Sequence, residues 1–186
     1  MNTSPRHSLP GAWQPIPPAR FALFLVAAIA FFAALALDGG GYLFVLDDAN
    51  LLFHEAGHVI FGLFGPAMGL YGGTLGQLVF PLCGMVGFRM RRDAVGCAAC
   101  SIWFFQNWLS ISRYMADARA QALPLVGGGE HDWDAIFSRW HALPLDRAIA
   151  SVAHAIGWLG MAGTVAAVTW CFFFTKPGLS SGAEGR

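Results

Sequence analysis

The sequence predicts an all-α fold, a polytopic integral membrane bundle of about five transmembrane helices. Three observations predict it. Hydrophobic residues make up 56% of the 186 and charged residues only 12%, with a mean hydropathy of +0.53, which leaves too little polar surface to coat a water-soluble globule. The apolar residues gather into runs that approach or reach the length of a bilayer crossing. Gly, Pro and charged clusters separate those runs. Lys+Arg 11 balances Asp+Glu 11, so no net charge favours a nucleic-acid partner, and none is expected. Cys83, Cys97, Cys100 and Cys171 lie among small or apolar residues. Although Cys97 and Cys100 form C-x-x-C, no second pair stands at zinc-finger spacing, and all four read as packing residues.

Residues 1–20 hold Pro5, Pro10, Pro15, Pro17 and Pro18 and read as an extended lead without chemistry. The apolar run 21–37, flanked by Arg20 and Asp38, predicts a first helix; it exceeds a signal-peptide core and reads as an uncut anchor. After a turn at 38–41, residues 42–64 predict a second helix ended by Gly65-Pro66. Gly72-Gly73 opens a third at 72–88, stopped by Arg89, Arg91, Arg92 and Asp93, and 95–115 predicts a fourth. The polar segment 116–147 contains Gly127-Gly128-Gly129 and a short amphipathic helix at 133–140. A fifth helix covers 148–174, closed by Lys176-Pro177-Gly178, so one transmembrane domain (21–175) precedes a polar tail (176–186). Five crossings put the chain ends on opposite faces, and Lys and Arg divide too evenly to orient them. Trp103, Trp108, Trp158 and Trp170 read as packing or interfacial anchors.

The chemistry concentrates in His54-Glu55-Ala56-Gly57-His58. Residues four apart on a helix are rotated by about 400°, so His54 and His58 share a face with Glu55 beside them. Two such imidazoles can hold one divalent ion, and the adjacent carboxylate can take a proton from a water that the ion acidifies. The competing reading is a cluster that merely satisfies its own hydrogen bonds. Each ionisable group at mid-bilayer costs about 2.5–3.5 kcal/mol on insertion scales, so three within five residues favour a cation as partner. Ala56 and Gly57 keep the helix surface low enough for another backbone or a substrate strand to approach.

A catalytic zinc needs a third protein ligand and an open position. Downstream candidates are Asp117, Glu130, His131, Asp132, Asp134 and His154. Asp132 is preferred, with His131 and Asp117 as alternatives, because three glycines precede it and allow the backbone to return toward His54. Against this, Asp132 could simply cap a helix starting at Trp133. His154 reads equally as a hydrogen-bonded packing residue. No Ser/His/Asp elbow, phosphate-binding Gly loop or dinucleotide fingerprint is present.

HEAGH, followed by GGTLGQLVFPL and a further helix containing QNW and ending in YMADA, resembles the three-helix core of the site-2 protease family of intramembrane zinc metalloproteases, especially its compact bacterial members. The resemblance spans about residues 42–140. It implies Zn2+ held by His54 and His58, Glu55 as catalytic general base, and hydrolysis of peptide bonds of membrane-protein substrates in the lipid bilayer of a bacterial inner membrane. The family's third ligand is an aspartate in an Asp-Gly pair, and no Asp-Gly follows His58 here; Asn107 with Asp117 is the nearest counterpart in chain order. Gln106 and Asn107 are expected to bind substrate, with the metal between the second and fourth helices and Asp47, Asp48 and Asn50 lining a water path. The rival functions are a non-catalytic metal-binding membrane scaffold or regulator and, behind it, a metal transporter.

Overall fold

The computed structural model describes residues 13–38, 43–126 and 130–174. The proline-rich lead up to residue 12, most of the 38–41 turn, Gly127 to Gly129 and the polar tail lie outside the described residues. Among the described residues six α-helices follow one another: α1 (Pro18–Leu37), α2 (Phe44–Gly62), α3 (Pro66–Met90), α4 (Ala94–Ala116), α5 (Asp132–Arg139) and, after a 3-10 turn at Leu143–Leu145, α6 (Asp146–Phe174). Pro18 and Pro66 stand in the first turns of α1 and α3, where a missing N–H costs nothing. Gly65 (φ 112°) makes the break between α2 and α3, a conformation that L side chains resist. Asp93 starts α4 by accepting from the Gly96 N–H at 3.0 Å.

Among the described residues, four helical segments are long and apolar enough to cross a membrane: Pro18–Leu37, Pro66–Met90, Ala94–Ala116 and Leu143–Phe174. The helix of the His-Glu-His run is not among them, since Asp47, Asp48, His54, Glu55 and His58 interrupt its apolar sequence. α6 packs along α4, with Leu109 and Phe105 seated on Gly157 and Gly160. α1 covers this pair through Phe21, Phe24, Ala28 and Leu35. A second core, built on Ile136, Phe137 and Trp133, ties α5 to α4 and α6.

Two expectations change. Arg20 at the start of α1 pairs with Asp93 at 2.6 Å, and the Phe21 ring stacks on Phe172, with centroids 4.0 Å apart. The start of α1, the α3–α4 turn and the end of α6 therefore share one face, where five crossings would have separated the outer ends. The third helix also begins at Pro66 instead of Gly72, so Gly72, Gly73 and Gly76 sit inside it. Their task is close approach: a Cβ on Gly57 would lie 2.1 Å from the Gly72 carbonyl oxygen, and one on Gly76 2.4 Å from that of Phe53. α3 thus occupies the low surface that Gly57 offers, as small residues do at helix contacts in lipid.

Candidate metal centre

α2 and α5 bring three side chains to one point. His54 Nε2 lies 2.9 Å and His58 Nε2 3.1 Å from Asp132 Oδ2, and ligand atoms of these residues all fall within 4.8 Å of one another. The two rings stand edge to face, one helical turn apart, with centroids 4.8 Å apart. Asp132 comes from the first turn of α5, which the second hydrophobic core holds against α4.

The partners of the outer ring nitrogens decide what that point can accept. His58 Nδ1 lies 2.8 Å from the Gly69 carbonyl oxygen and His54 Nδ1 3.2 Å from Gln77 Oε1. A carbonyl oxygen only accepts, so both Nδ1 atoms donate and each neutral ring turns an Nε2 lone pair toward Asp132. Three acceptors then converge. Without a metal only protons can lie between these atoms; a divalent cation would replace them and neutralise the carboxylate. Carbonyl acceptors behind the imidazoles are the usual outer support of metal-ligating histidines. The donor set, two imidazoles and a carboxylate, fits zinc. Burial disfavours charge on Asp132, yet hydrogen bonds with His54 and His58 hold its carboxyl down at about 2.

These groups line one side of a cavity of about 870 Å³. Glu55 lies on its wall, partly exposed, and no hydrogen bond holds its carboxylate among the described residues. Asp47, Asp48 and Asn50 also line it. Leu51, Leu123, Leu125 and Val126 form its apolar side.

The other sequence candidates lie elsewhere. His131, not Asp132, caps α5, its Nδ1 accepting from the Asp134 N–H at 3.3 Å, so the capping role proposed for Asp132 falls to its neighbour. His131 Nε2 points toward Asp117 at 3.5 Å. Asp117 accepts from the N–H groups of Ala122 and Leu123, each at 3.0 Å, and shapes the loop after α4. Neither residue belongs to the converging group. Glu130 reaches the cavity rim, whereas His154 accepts from Trp158 Nε1 at 3.0 Å on α6.

Gln106 and Asn107, expected at the substrate, are wholly buried and do not line the cavity. Gln106 Oε1 accepts from Asn50 at 2.8 Å and its Nε2 donates to Asp47, while Asn107 donates to the Trp103 carbonyl. Both face into the bundle, and the Asn107 Oδ1 finds no partner there among the described residues. The metal point lies on the face of α2 turned to α3, roofed by α5; α4 contributes Tyr114, whose ring lies 5.8 Å from His54 and whose hydroxyl accepts from the Asp132 N–H at 3.1 Å.

No family model, curated protein or solved structure matches the chain.

Gln77, Tyr114 and the Gly69 carbonyl were not anticipated. Gln77 had a sequence signal, a lone amide in an otherwise apolar helix, which in lipid implies a partner. The Gly69 carbonyl had none.

Proposed function

We propose that this chain is an intramembrane zinc metallopeptidase of the site-2 protease type, hydrolysing peptide bonds of membrane-protein substrates. The observation that carries the reading is the convergence of His54, His58 and Asp132 beside an unbonded Glu55 in a cavity between apolar helices. His54, His58 and Asp132 would hold the metal. Zinc, when bound, supplies Lewis acidity, polarising a carbonyl and acidifying a water. Glu55, adjacent to His54 and without a competing hydrogen bond, takes the proton of the attacking water on a carboxylate oxygen and returns it to the departing amine. Gln77 and the Gly69 carbonyl keep the two Nε2 atoms turned inward. The apolar wall of Leu51, Leu123, Leu125 and Val126 suits an unwound stretch of a hydrophobic substrate.

The test compares bound zinc and peptide-bond cleavage in detergent-purified variants. His58→Ala and Asp132→Ala should lose the metal, while Asp117→Ala should keep it. Glu55→Gln should keep zinc and lose cleavage. Wild-type protein that takes up no zinc refutes the metal centre; wild type that binds zinc but cleaves no membrane substrate, with Glu55→Gln indistinguishable from it, leaves a metal-binding scaffold in place of a protease.

A further inference from the structure

Gln106 and Asn107 do not line the cavity, so a protein donor that steadies a substrate's carbonyl oxygen, as charge builds on it, has to come from the residues that do. Asn50 donates to Gln106 and Ser110 to Asp47. Arg113 lies against Asp47 at 3.5 Å. Gln77 stands behind His54 on its Nδ1 side, away from the point where the Nε2 atoms meet. Tyr114 is placed differently: it lines the cavity, and its hydroxyl oxygen accepts from the Asp132 N–H at 3.1 Å, against one of the three converging ligands.

A hydroxyl that accepts through a lone pair still has its own proton to give. No hydrogen bond among the described residues uses that proton of Tyr114. The phenol ring is fixed on two sides, tilted on the His131 ring with centroids 4.1 Å apart and T-shaped to His54 at 5.8 Å. His131 is itself held as the cap of α5. The hydroxyl is therefore in position before a substrate arrives, and a donor aimed in advance at developing charge needs no reorganisation during the reaction.

We propose that Tyr114 is a catalytic residue of this site, its hydroxyl donating a hydrogen bond to the carbonyl oxygen of the scissile peptide bond. The inference rests on the proteolytic reading of the same cavity and adds the electrophile to it. When the water oxygen adds to the carbonyl carbon, one water proton passes to Glu55 and the π pair moves onto the carbonyl oxygen. Tyr114 bonds that charged oxygen more strongly than the neutral carbonyl, which is the differential that accelerates a reaction. As the pair returns, the C–N bond breaks and the amine leaves with the proton from Glu55. Tyr114 keeps its own proton throughout.

Three measurements on detergent-purified protein test it: zinc content, turnover of a fluorogenic apolar peptide in micelles, and affinity for a phosphinic peptide of that sequence. The anionic oxygen of the phosphinic peptide stands where the carbonyl oxygen would carry charge. Tyr114→Phe removes the proton and keeps the ring. Per bound zinc, kcat should fall by about 10²–10³-fold with KM little changed, and the phosphinic peptide should bind more weakly by a similar factor. Thr74→Val, which removes another hydroxyl from the cavity wall, should match wild type. If Tyr114→Phe loses zinc and turnover in proportion, the hydroxyl only positions Asp132 and the proposal is overturned. It is overturned equally if the loss falls on Thr74→Val instead. Should Tyr114→Phe unfold, 4-fluorophenylalanine at position 114, which fills the space of the phenol without a proton, takes its place with the same outcomes. Wild type that binds zinc and cleaves nothing ends the proteolytic reading and this inference with it, whereas active wild type beside an equally active Tyr114→Phe ends this inference alone.

Discussion

Gly57→Ala tests how closely the metal centre depends on helix contact. The added Cβ would lie 2.1 Å from the Gly72 carbonyl oxygen and 2.9 Å from Gly76 Cα, both backbone atoms of α3. An unstrained C···O contact is about 3.3 Å, so α2 and α3 must separate by about 1.2 Å. The His58 Nδ1 contact to the Gly69 carbonyl crosses the same interface at 2.8 Å; taking up that separation would carry it past the roughly 3.2 Å limit of a hydrogen bond. Overpacking costs about 1–3 kcal/mol and the lost bond about 0.5–1.5 kcal/mol. Gly57→Ala should thus lower the thermal unfolding midpoint of detergent-purified protein and its bound zinc together. Gly163→Ala, whose Cβ meets nothing within 4 Å, is the control. If Gly57→Ala melts with Gly163→Ala and retains as much zinc, the contact does not position His58 and the reasoning fails.

Three further outcomes follow from the same geometry. Gly73→Ala sets a Cβ 2.3 Å from His54 Nε2 and should reduce zinc affinity, measured by chelator competition, more than it reduces the melting temperature. Gln77→Leu removes the acceptor behind His54 Nδ1 and should weaken zinc binding by about 10–100-fold; unaltered affinity would mean that the ring needs no such support. Asp93→Ala removes a helix cap and the Arg20 partner, costing about 0.5–2 kcal/mol, readable as a lower unfolding midpoint near neutral pH. Burial pushes the Asp93 carboxyl up, but Arg20 and the Gly96 N–H outweigh it and hold the group below its ordinary value. Its contribution is therefore complete above the unfolded pKa of about 3.9 and fades as pH falls through the lower folded value. The gap between wild type and Asp93→Ala should close under acid and persist at neutral pH.

Helix positions were legible because apolar run length and breakers report them directly: α4 and α6 fall within a few residues of the predicted 95–115 and 148–174. The start of α3 was not. A Gly72-Gly73 pair can open a helix, yet in lipid the same residues permit two backbones to touch, and composition cannot separate these uses. The glycines before Asp132 point to the polar loop, but what distinguishes Asp132 from His131 is that His131 turns back to cap α5. That choice rests on the rotation of a short helix, which the sequence does not display. An amide that faces a buried aspartate, as Gln106 does, looks in sequence like one that faces a substrate.

The polar residues of α2 meet two different fates. Toward its start, Asp47 accepts from the Leu43 N–H, Gln106 and Ser110, and Asn50 bonds Gln106 and the Trp103 indole. Donors and acceptors alternate there, so α4 satisfies this half of the helix with amides, a hydroxyl, an indole and the Arg113 guanidinium, 3.5 Å from Asp47. Toward its end, Gln77 and the Gly69 carbonyl take up the only donor of each neutral imidazole. His54, His58 and Asp132 are left presenting acceptors to one another at 2.9 and 3.1 Å. Stacking a second amide network there would have balanced the bonds; the residues present instead leave a deficit of positive charge that two protons or one divalent ion can fill. Of these, only the ion also gives the neighbouring Glu55 a reaction to serve.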